Sequence, residues 1–271
     1  MTAGESDWVP PGVDTRRANI ARVYDYLLGG SHNFLADQDV GRALAAVEPA
    51  VRAIARANRA FLGRAVRFVS DAGIRQFLDI GSGIPTGDNV HEVAQRADRG
   101  SRVVYADIDP VAIAHSRTIL AGRQNAAIIK ADLREPEKIL HHADTRRLID
   151  FGRPAGLLLV SVLHYIADAD NPRGIMATLR DALAPGSYLV LCHGTAEGQP
   201  TVVKAVGKVF NRNVATQSHV RSRAEIMRLF GDFELVDPGL VHLPLWRPDS
   251  PADVPSDPST FWCLAGVARK P

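Results

Sequence analysis

Cysteine is scarce in this chain: two occur among 271 residues, Cys192 and Cys263. Each lies within an apolar run of the kind that forms a strand, which favours buried, reduced thiols over a disulfide scaffold. The cysteines lack zinc-type pairing, and the adjacent His141 and His142 lack spaced partner ligands. No Gly-x-Ser-x-Gly motif is present. The sequence therefore predicts no metal site.

Long apolar runs and blocks of one charge are also missing. No stretch reaches the roughly 18 apolar residues that a membrane-spanning helix needs, and the first residues lack the basic and apolar regions of a signal peptide. The 32 basic and 30 acidic side chains leave a net charge of +2, without a basic block that would bind nucleic acid. We therefore expect a cytoplasmic protein with a small-molecule partner and no nucleic acid or membrane partner. The sequence makes no prediction of an oligomeric state.

Strands and helices alternate from residue 74 onward, as in proteins whose parallel sheet is covered on both faces. Because 46% of the residues are hydrophobic, the chain can bury a large core. The prolines between the last two predicted strands exclude a crossover helix, so these two strands are expected to pair antiparallel. The predicted strands comprise residues 75–80, 102–106, 127–130, 156–161, 188–192, 233–243 and 261–268.

Two amphipathic helices are predicted before the first strand. Apolar residues recur at helical spacing over 16–28 and 50–72, and the pair Gly29-Gly30 ends the first of these helices. A further helix is expected within the long segment 193–221, a position where excursions shape substrate pockets. We therefore predict one globular unit with two parts, an N-terminal helical extension or lid over 1–72 and an α/β core domain over 73–271.

A glycine turn at the end of the first predicted strand is the most informative local motif. Asp79 is followed by Gly81, Ser82 and Gly83, and two glycines allow the backbone to approach a ligand closely. A dinucleotide fingerprint keeps this strand apolar up to the glycines, because a carboxylate there would repel pyrophosphate. An acid at position 79 therefore favours a cationic ligand.

Two more acids follow the next predicted strands. Asp107 lies 24 residues beyond Gly83, where a carboxylate can accept both ribose hydroxyls of an adenosine. Asp132 ends the third strand and could accept an adenine amino group, whereas Asp109 is expected to cap a helix. Ligands of a parallel sheet bind at the carboxyl ends of the strands, so these acids are expected to surround one site. Such a site favours positive charge and disfavours phosphate.

Four further polar residues each allow two interpretations. Asn58 falls within the apolar face of a helix, so it either satisfies neighbouring backbone or reaches the ligand. Arg59 could hold a carboxylate or could simply be solvated. His164 and His193 follow the fourth and fifth strands, where each could act as a base facing the reacting group or could pack within the fold.

The strand-end motifs resemble those of class I S-adenosylmethionine-dependent methyltransferases. Residues 77–83 (Phe-Leu-Asp-Ile-Gly-Ser-Gly) look like their first motif and 104–107 like the ribose-binding second motif. Residues 131–133 look like the adenine-contacting third motif, and 159–164 like the segment after strand four. Pro85 stands where the third glycine of the first motif usually lies. The whole chain is similar to a bacterial S-adenosyl methyltransferase family whose substrates are largely unassigned.

This resemblance implies an α/β fold with a Rossmann-like mixed sheet of seven strands in the order 3-2-1-4-5-7-6. Strand seven would be antiparallel, and helices would cover both faces. The resemblance also implies S-adenosyl-L-methionine as cofactor and N-terminal helices that close over it. The residues implied to contact the cofactor are Tyr24, Gly29, Asn58, Arg59, Asp79, Gly81, Ser82, Gly83, Asp107, Ile108, Asp132, Leu133 and Ser161.

For the reaction, we expect transfer of a methyl group to an oxygen, nitrogen or carbon of a small molecule, with oxygen and nitrogen favoured over carbon. If oxygen accepts the methyl group, His164 or His193 would be the base. Two alternatives stay open. One is a nicotinamide-dependent oxidoreductase, which shares the glycine turn and the acid after strand two. The other is a protein that binds the cofactor without catalysis and serves regulation.

Overall fold

A mixed sheet of eight strands forms the centre of the computed structural model, which describes residues 9–271. The strands are β1 (Gln76–Ile80), β2 (Arg102–Asp107), β3 (Ala126–Lys130), β4 (Gly156–Val160), β5 (Tyr188–Gly194), β6 (Glu234–Leu235), β7 (Val241–His242) and β8 (Cys263–Arg269). They lie in the order β3-β2-β1-β4-β5-β8-β6, and β7 also pairs with β8. The pairs from β3 to β5 are parallel, so the carboxyl ends of these five strands share one edge.

Helices connect the parallel strands and precede the first of them. They are α1 (Ile20–Leu28), α2 (Leu35–Val47), α3 (Val51–Asp71), α4 (Val90–Ala97), α5 (Pro110–Ile119), α6 (Pro136–Leu140), α7 (Ala143–Leu148), α8 (Pro172–Asp181), α9 (Pro200–Asn213) and α10 (Arg223–Phe230). The helix predicted within 193–221 is α9. None of the helices within residues 9–271 is both long and apolar enough to cross a membrane.

The predicted strand order and the antiparallel last strand are confirmed. β8 lies between β5 and β6 and runs antiparallel to both, with Cys192 opposite Ala265. The segment predicted as one strand over 233–243 is instead two short strands, β6 and β7, joined by a turn. Pro238 lacks the N–H that a ladder needs, and Gly239 has a φ of 85°, so the pairing is interrupted between them.

The apolar core is divided between the two faces of the sheet, because successive strand residues point in opposite directions. Leu78 and Ile80 of β1 belong to the cluster on one face. Phe77 belongs to the cluster on the other face, where it packs with Phe61 of α3 and with the buried Trp246. Asp79 follows Phe77 by two residues, so its carboxyl group lies on the face that α3 and α4 cover.

The N-terminal helices form a third apolar cluster together with α9. Val23 and Leu27 of α1 and Leu44 of α2 pack with Val206 and Phe210 of α9. Helix α2 was not predicted from the sequence, whereas α1 and α3 lie within the predicted ranges. This packing holds α1, α2 and α9 together around one apolar cluster. The division into an extension and a core domain stays a prediction.

Candidate functional site

The glycine turn follows β1 directly and depends on two left-handed backbone positions. Gly81 has a φ of 73° and Gly83 a φ of 68°, a region that side chains with a Cβ rarely adopt. A Cβ on Gly81 would lie 2.3 Å from Cγ2 of Val162, so the turn is in close contact with the segment after β4. A Cβ on Gly83 would meet nothing within 4 Å, which leaves room beside the turn. The sequence located this turn correctly.

Asp107 at the end of β2 is hydrogen-bonded to the glycine turn. Its Oδ2 accepts the backbone N–H of Gly83 at 2.7 Å, and its Oδ1 accepts the N–H of Asp109 at 2.9 Å. Burial raises the pKa of Asp107, while these backbone donors oppose the rise. Asp109 caps α5 through Val111 N and Ala112 N, as predicted. The carboxylate of Asp107 therefore helps to fix the turn that it faces.

The carboxyl group of Asp79 and the hydroxyl group of Ser82 are buried and have no hydrogen-bond partner within residues 9–271. Asp79 is 5% exposed, and its carboxylate accepts no hydrogen bond from residues 9–271. Burial raises its pKa to about 7, with Arg59 lowering it and Asp107 raising it. The hydroxyl of Ser82 is likewise buried and unbonded within the described part of the chain. Both residues line a small space beside Gly83, which suits a ligand with positive charge.

The third predicted acid already has a cationic partner. Both carboxylate oxygens of Asp132 accept from Nε of Arg134 at 3.0 Å, and this side-chain interaction lowers the pKa of Asp132. Leu133 is buried in the core, whereas Ile108 beside Asp107 is 53% exposed. Ile108 therefore offers an apolar surface next to the ribose candidate, and Arg134 was missed although it follows Asp132 by two residues.

Tyr24, Asn58 and Ser161 form one hydrogen-bond chain that joins the N-terminal helices to the end of β4. Nδ2 of Asn58 donates to the hydroxyl of Tyr24 at 2.9 Å, and Ser161 Oγ donates to Oδ1 of Asn58 at 2.9 Å. The Tyr24 hydroxyl donates to the carbonyl of Ala55 at 3.0 Å. Burial raises the pKa of Tyr24 to about 12, so its hydroxyl stays neutral. The side chain of Asn58 therefore bonds to the side chains of Tyr24 and Ser161 and not to neighbouring backbone, and its contact with the ligand stays a prediction.

A cleft of about 410 Å³ lies between α3, the α1–α2 connection and the residues after the glycine turn. Arg59 lines this cleft and also the space beside Asp79, and it donates to the backbone oxygen of Gly87 at 3.3 Å. Gly29, which ends α1 with a φ of 86°, lines it as well. The sequence missed Arg56, one helical turn before Arg59 on α3. The other lining residues are Asp25, Leu28, Gly30, Ser31, His32, Pro85, Thr86 and His115.

His164 and His193 are both buried at the ends of β4 and β5. His193 has partners for both ring nitrogens: Nδ1 bonds to the carbonyl of Gly194 at 2.8 Å, and Nε2 to Arg221 at 2.8 Å. Nδ1 of His164 accepts the N–H of Gly194 at 3.4 Å. The sequence missed Arg221, which lies 28 residues beyond His193. A catalytic role of either histidine stays a prediction.

Comparison with known proteins decides the family. The sequence profile of the S-adenosyl methyltransferase family matches residues 6–271. The chain belongs to this family. This methyltransferase is similar to the crystal structure of a proposed methyltransferase from Thermobifida fusca, with 46% identity and a TM-score of 0.92 over 98% of this chain and 99% of that chain.

A second crystal structure, of a DUF574 family protein from Streptomyces avermitilis, is 38% identical to this methyltransferase. The TM-score is 0.91, and the match covers 95% of this chain and 99% of that chain. No curated protein matches. The enzyme is thus an S-adenosylmethionine-dependent methyltransferase, and S-adenosylmethionine is its cofactor. Family membership also removes the nicotinamide-dependent alternative.

Replacing Gly81 of the methyltransferase with alanine is expected to destabilise the fold by about 1–3 kcal/mol, because a Cβ there is strained at positive φ and overlaps Val162. Gly83→Ala is the matched control: it has the same backbone strain without the overlap, so we expect a smaller loss. Urea unfolding of both variants measures the difference. Equal losses in the two variants would show that the contact with Val162 does not matter.

Proposed function

We propose that this methyltransferase transfers the methyl group of S-adenosylmethionine to an oxygen or nitrogen of a small molecule in the cytoplasm, with neither nucleic acid nor membrane as partner. The observation that carries the proposal is the buried carboxyl group of Asp79, which lies beside the glycine turn without a hydrogen-bond partner in residues 9–271. A buried acid in this state is stabilised by a cationic ligand, and a sulfonium or ammonium group supplies that charge.

The residues at the strand ends fit the parts of this cofactor. Asp107 would accept the ribose hydroxyls, since its carboxylate is fixed at the turn, and the exposed Ile108 would pack against the adenine ring. Asp79 would face the positive charges of the methionine half. Arg59 lines both that space and the adjacent cleft, so it is placed to hold the carboxylate. When bound, the cofactor supplies an electrophilic methyl group on a sulfonium.

We assign a role to each of the remaining proposed cofactor residues. Gly81 and Gly83 would let the backbone approach the cofactor, and Ser82 would donate or accept with its unbonded hydroxyl. Asp132 would reach the adenine amino group with lone pairs that Arg134 leaves available. The residues proposed to line the cofactor from the N-terminal helices and from β4 are Tyr24, Gly29, Asn58 and Ser161, with Leu133 below the adenine.

Methyl transfer needs alignment and exclusion of water more than it needs an elaborate set of catalytic groups. The helices before residue 73 would act as a lid that excludes water from the cofactor, because Asn58 on α3 bonds to Ser161 at the strand edge. Helix α9 packs against α1 and α2, so it extends this cover. A cover of this kind limits the acceptor to a small molecule.

A thermal-shift comparison tests the cofactor assignment. A saturating concentration of S-adenosylhomocysteine is expected to raise the Tm by roughly 5–10 °C, because a ligand at about 100 times its Kd stabilises by about 2.7 kcal/mol. The same concentration of NAD is expected to leave the Tm unchanged. A shift with NAD and none with S-adenosylhomocysteine would contradict the proposal.

Turnover then tests whether the acceptor of this enzyme is a small molecule. The protein is incubated with methyl-labelled S-adenosylmethionine and a small-molecule metabolite extract, and labelled products are identified by mass spectrometry. A labelled small molecule supports the proposal. Cofactor binding without any labelled small molecule would contradict a small-molecule acceptor.

A further inference from the structure

The cleft of about 410 Å³ between α3, the α1–α2 connection and the residues after the glycine turn extends beyond the residues assigned to the cofactor. Of that set, only Gly29 and Arg59 line the cleft, because the others lie mainly at the strand ends. Small-molecule sites in proteins have volumes of roughly 300–1,000 Å³. The cleft therefore has room for a second small molecule beside the cofactor.

Arg59 and Pro85 connect the cleft to the small space beside Asp79. Both residues line the cleft and that space. The methionine half of the cofactor is proposed to face Asp79, and this half carries the sulfonium with its methyl group. A ligand in the cleft would therefore lie next to the reactive half of the cofactor.

Arg56 contributes a positive charge to the cleft that no protein group neutralises. It lies one helical turn before Arg59 on α3 and is exposed. Within residues 9–271 its side chain forms no hydrogen bond and no ion pair. Arg59 donates to the backbone oxygens of Gly87 and Asp88, at 3.3 and 3.4 Å, and likewise forms no ion pair in that range. Both guanidinium groups can therefore bind an anion.

The acid that lines the cleft, Asp25, is engaged by its own segment. Asp25 is buried, and its Oδ2 accepts the N–H of His32 at 2.9 Å and Nδ2 of Asn33 at 2.7 Å. Its Oδ1 lies against Gly30, where a Cβ would come within 2.1 Å of it. Two guanidinium groups thus face one carboxylate that already has donors, so the cleft favours negative charge.

His32 and His115 form one side of the cleft with their rings in contact. The ring centroids lie 3.7 Å apart, and the ring planes meet at 33°. Burial and then His32 lower the pKa of His115, while Asp25 opposes this. His115 is therefore neutral near pH 7 and presents one N–H donor. Its ring signal reports directly on whatever binds in the cleft.

We propose that the methyl acceptor is a small molecule with a carboxylate or phosphate group, and that Arg56 binds this group in the cleft. Arg59 binds the carboxylate of the cofactor on the side of Asp79, so the two arginines serve the two substrates. A planar guanidinium matches the oxygens of either anion with two parallel hydrogen bonds. The inference rests on the proposed function for the reaction, while the anion site can be measured without turnover.

A titration with inorganic phosphate tests the anion site by nitrogen-15 NMR of the full-length, histidine-labelled protein. The pH is held at about 7, and chloride keeps the ionic strength constant. His115→Gln assigns the ring signals of His115. We expect these signals to shift and to reach saturation as phosphate is added. A shift that does not saturate, or no shift at all, would overturn the proposal.

Arg56→Gln and Arg117→Gln separate a bound anion from a general effect of charge. Arg117 is an exposed arginine of α5 that does not line the cleft, so its replacement removes the same charge elsewhere. The affinity for phosphate is expected to fall by about fivefold or more in Arg56→Gln and to change by less than about twofold in Arg117→Gln. Urea unfolding checks that both variants fold. Equal losses of affinity would contradict a site at Arg56.

The titration is carried out with and without saturating S-adenosylhomocysteine. We expect phosphate to shift the signals of His115 in both cases, because the cofactor and the acceptor occupy adjacent places. A shift that S-adenosylhomocysteine abolishes would overturn the proposal, since the carboxylate of the cofactor itself would then occupy the cleft. Failure of S-adenosylhomocysteine to bind would instead defeat the proposed function and leave the anion site standing.

The labelled product of the turnover experiment tests the acceptor class. Anion exchange first separates the metabolite extract into a retained and an unretained fraction. We expect the labelled product to arise from the retained fraction. Arg56→Gln should raise the KM for this acceptor by about fivefold or more, with the affinity for S-adenosylhomocysteine unchanged. A labelled product formed only from the unretained fraction would overturn an anionic acceptor.

Discussion

Asp107→Ala is expected to weaken the binding of S-adenosylhomocysteine by roughly 100-fold or more. Two ribose hydroxyls lose a charged acceptor, and each such hydrogen bond contributes about 1.5–3 kcal/mol, where 1.4 kcal/mol is tenfold in affinity. The substitution also leaves the N–H groups of Gly83 and Asp109 without their acceptor, so the glycine turn loses its support. Isothermal titration calorimetry measures the loss of affinity.

Two further variants separate ribose recognition from general damage. Asp107→Asn keeps one acceptor oxygen, so its affinity should lie between those of the wild type and the alanine variant. Asp98→Ala is the matched control, because Asp98 also accepts a backbone N–H, from Gly100 at 2.7 Å, but precedes β2 at the opposite end of that strand. Wild-type affinity in a folded Asp107→Ala variant would defeat the ribose assignment.

Asp79→Asn is expected to stabilise the cofactor-free protein at alkaline pH, with a gain that grows from about pH 4 to about pH 8. Burial raises the pKa of Asp79 to about 7 in the folded protein, from an ordinary value of 3.8. The favourable contribution of Asp79 to the free energy of unfolding is therefore complete below pH 3.8, and it is lost as the pH rises through 7. Since one pKa unit corresponds to 1.36 kcal/mol, the loss at pH 8 is of the order of 4 kcal/mol.

Urea unfolding at about pH 5.5 and about pH 8 measures this effect. Asp132→Asn is the control, because the pKa of Asp132 is shifted in the opposite direction: Arg134 lowers it. The ionised Asp132 therefore contributes to the free energy of unfolding across that whole pH range. We expect Asp132→Asn to lose the same small amount of stability at both pH values. A gain for Asp79→Asn that does not change with pH would contradict the ionisation of a buried Asp79.

The same ionisation should appear in cofactor binding. Wild-type affinity for S-adenosylmethionine is expected to increase as the pH rises from about 6 to about 8, because the ionised Asp79 attracts the positive charges of the cofactor. In Asp79→Asn this rise should disappear.

The order of the sheet was predictable through the family resemblance of the strand-end motifs, whereas two of its features have local signals in the sequence. The unbroken apolar run of β5 indicates a central strand, and the prolines before β8 exclude a crossover helix. The turn at Gly81 and Gly83 and the cap at Asp109 also have short-range signatures. Each of these features depends on residues within a few positions of one another.

The missed features depend on contacts between distant positions. The bond between Ser161 and Asn58 joins residues 103 positions apart, so sequence spacing alone left two interpretations of Asn58. The contacts of Arg221 have no signal in the sequence, because its partners Leu163 and His193 come from two different strand ends. The split of the predicted strand 233–243 resulted from a turn that an apolar pattern does not show.

The packing of α9 against the first two helices determines the order in which the chain can complete its fold during translation. Val23, Leu27 and Leu44 reach their final apolar neighbours only after Val206 and Phe210 have been synthesised. Until then, the amino-terminal helices present an apolar face while most of the polypeptide is being made. A nascent chain that stalls before residue 200 therefore lacks the helix that covers this apolar face in the complete fold.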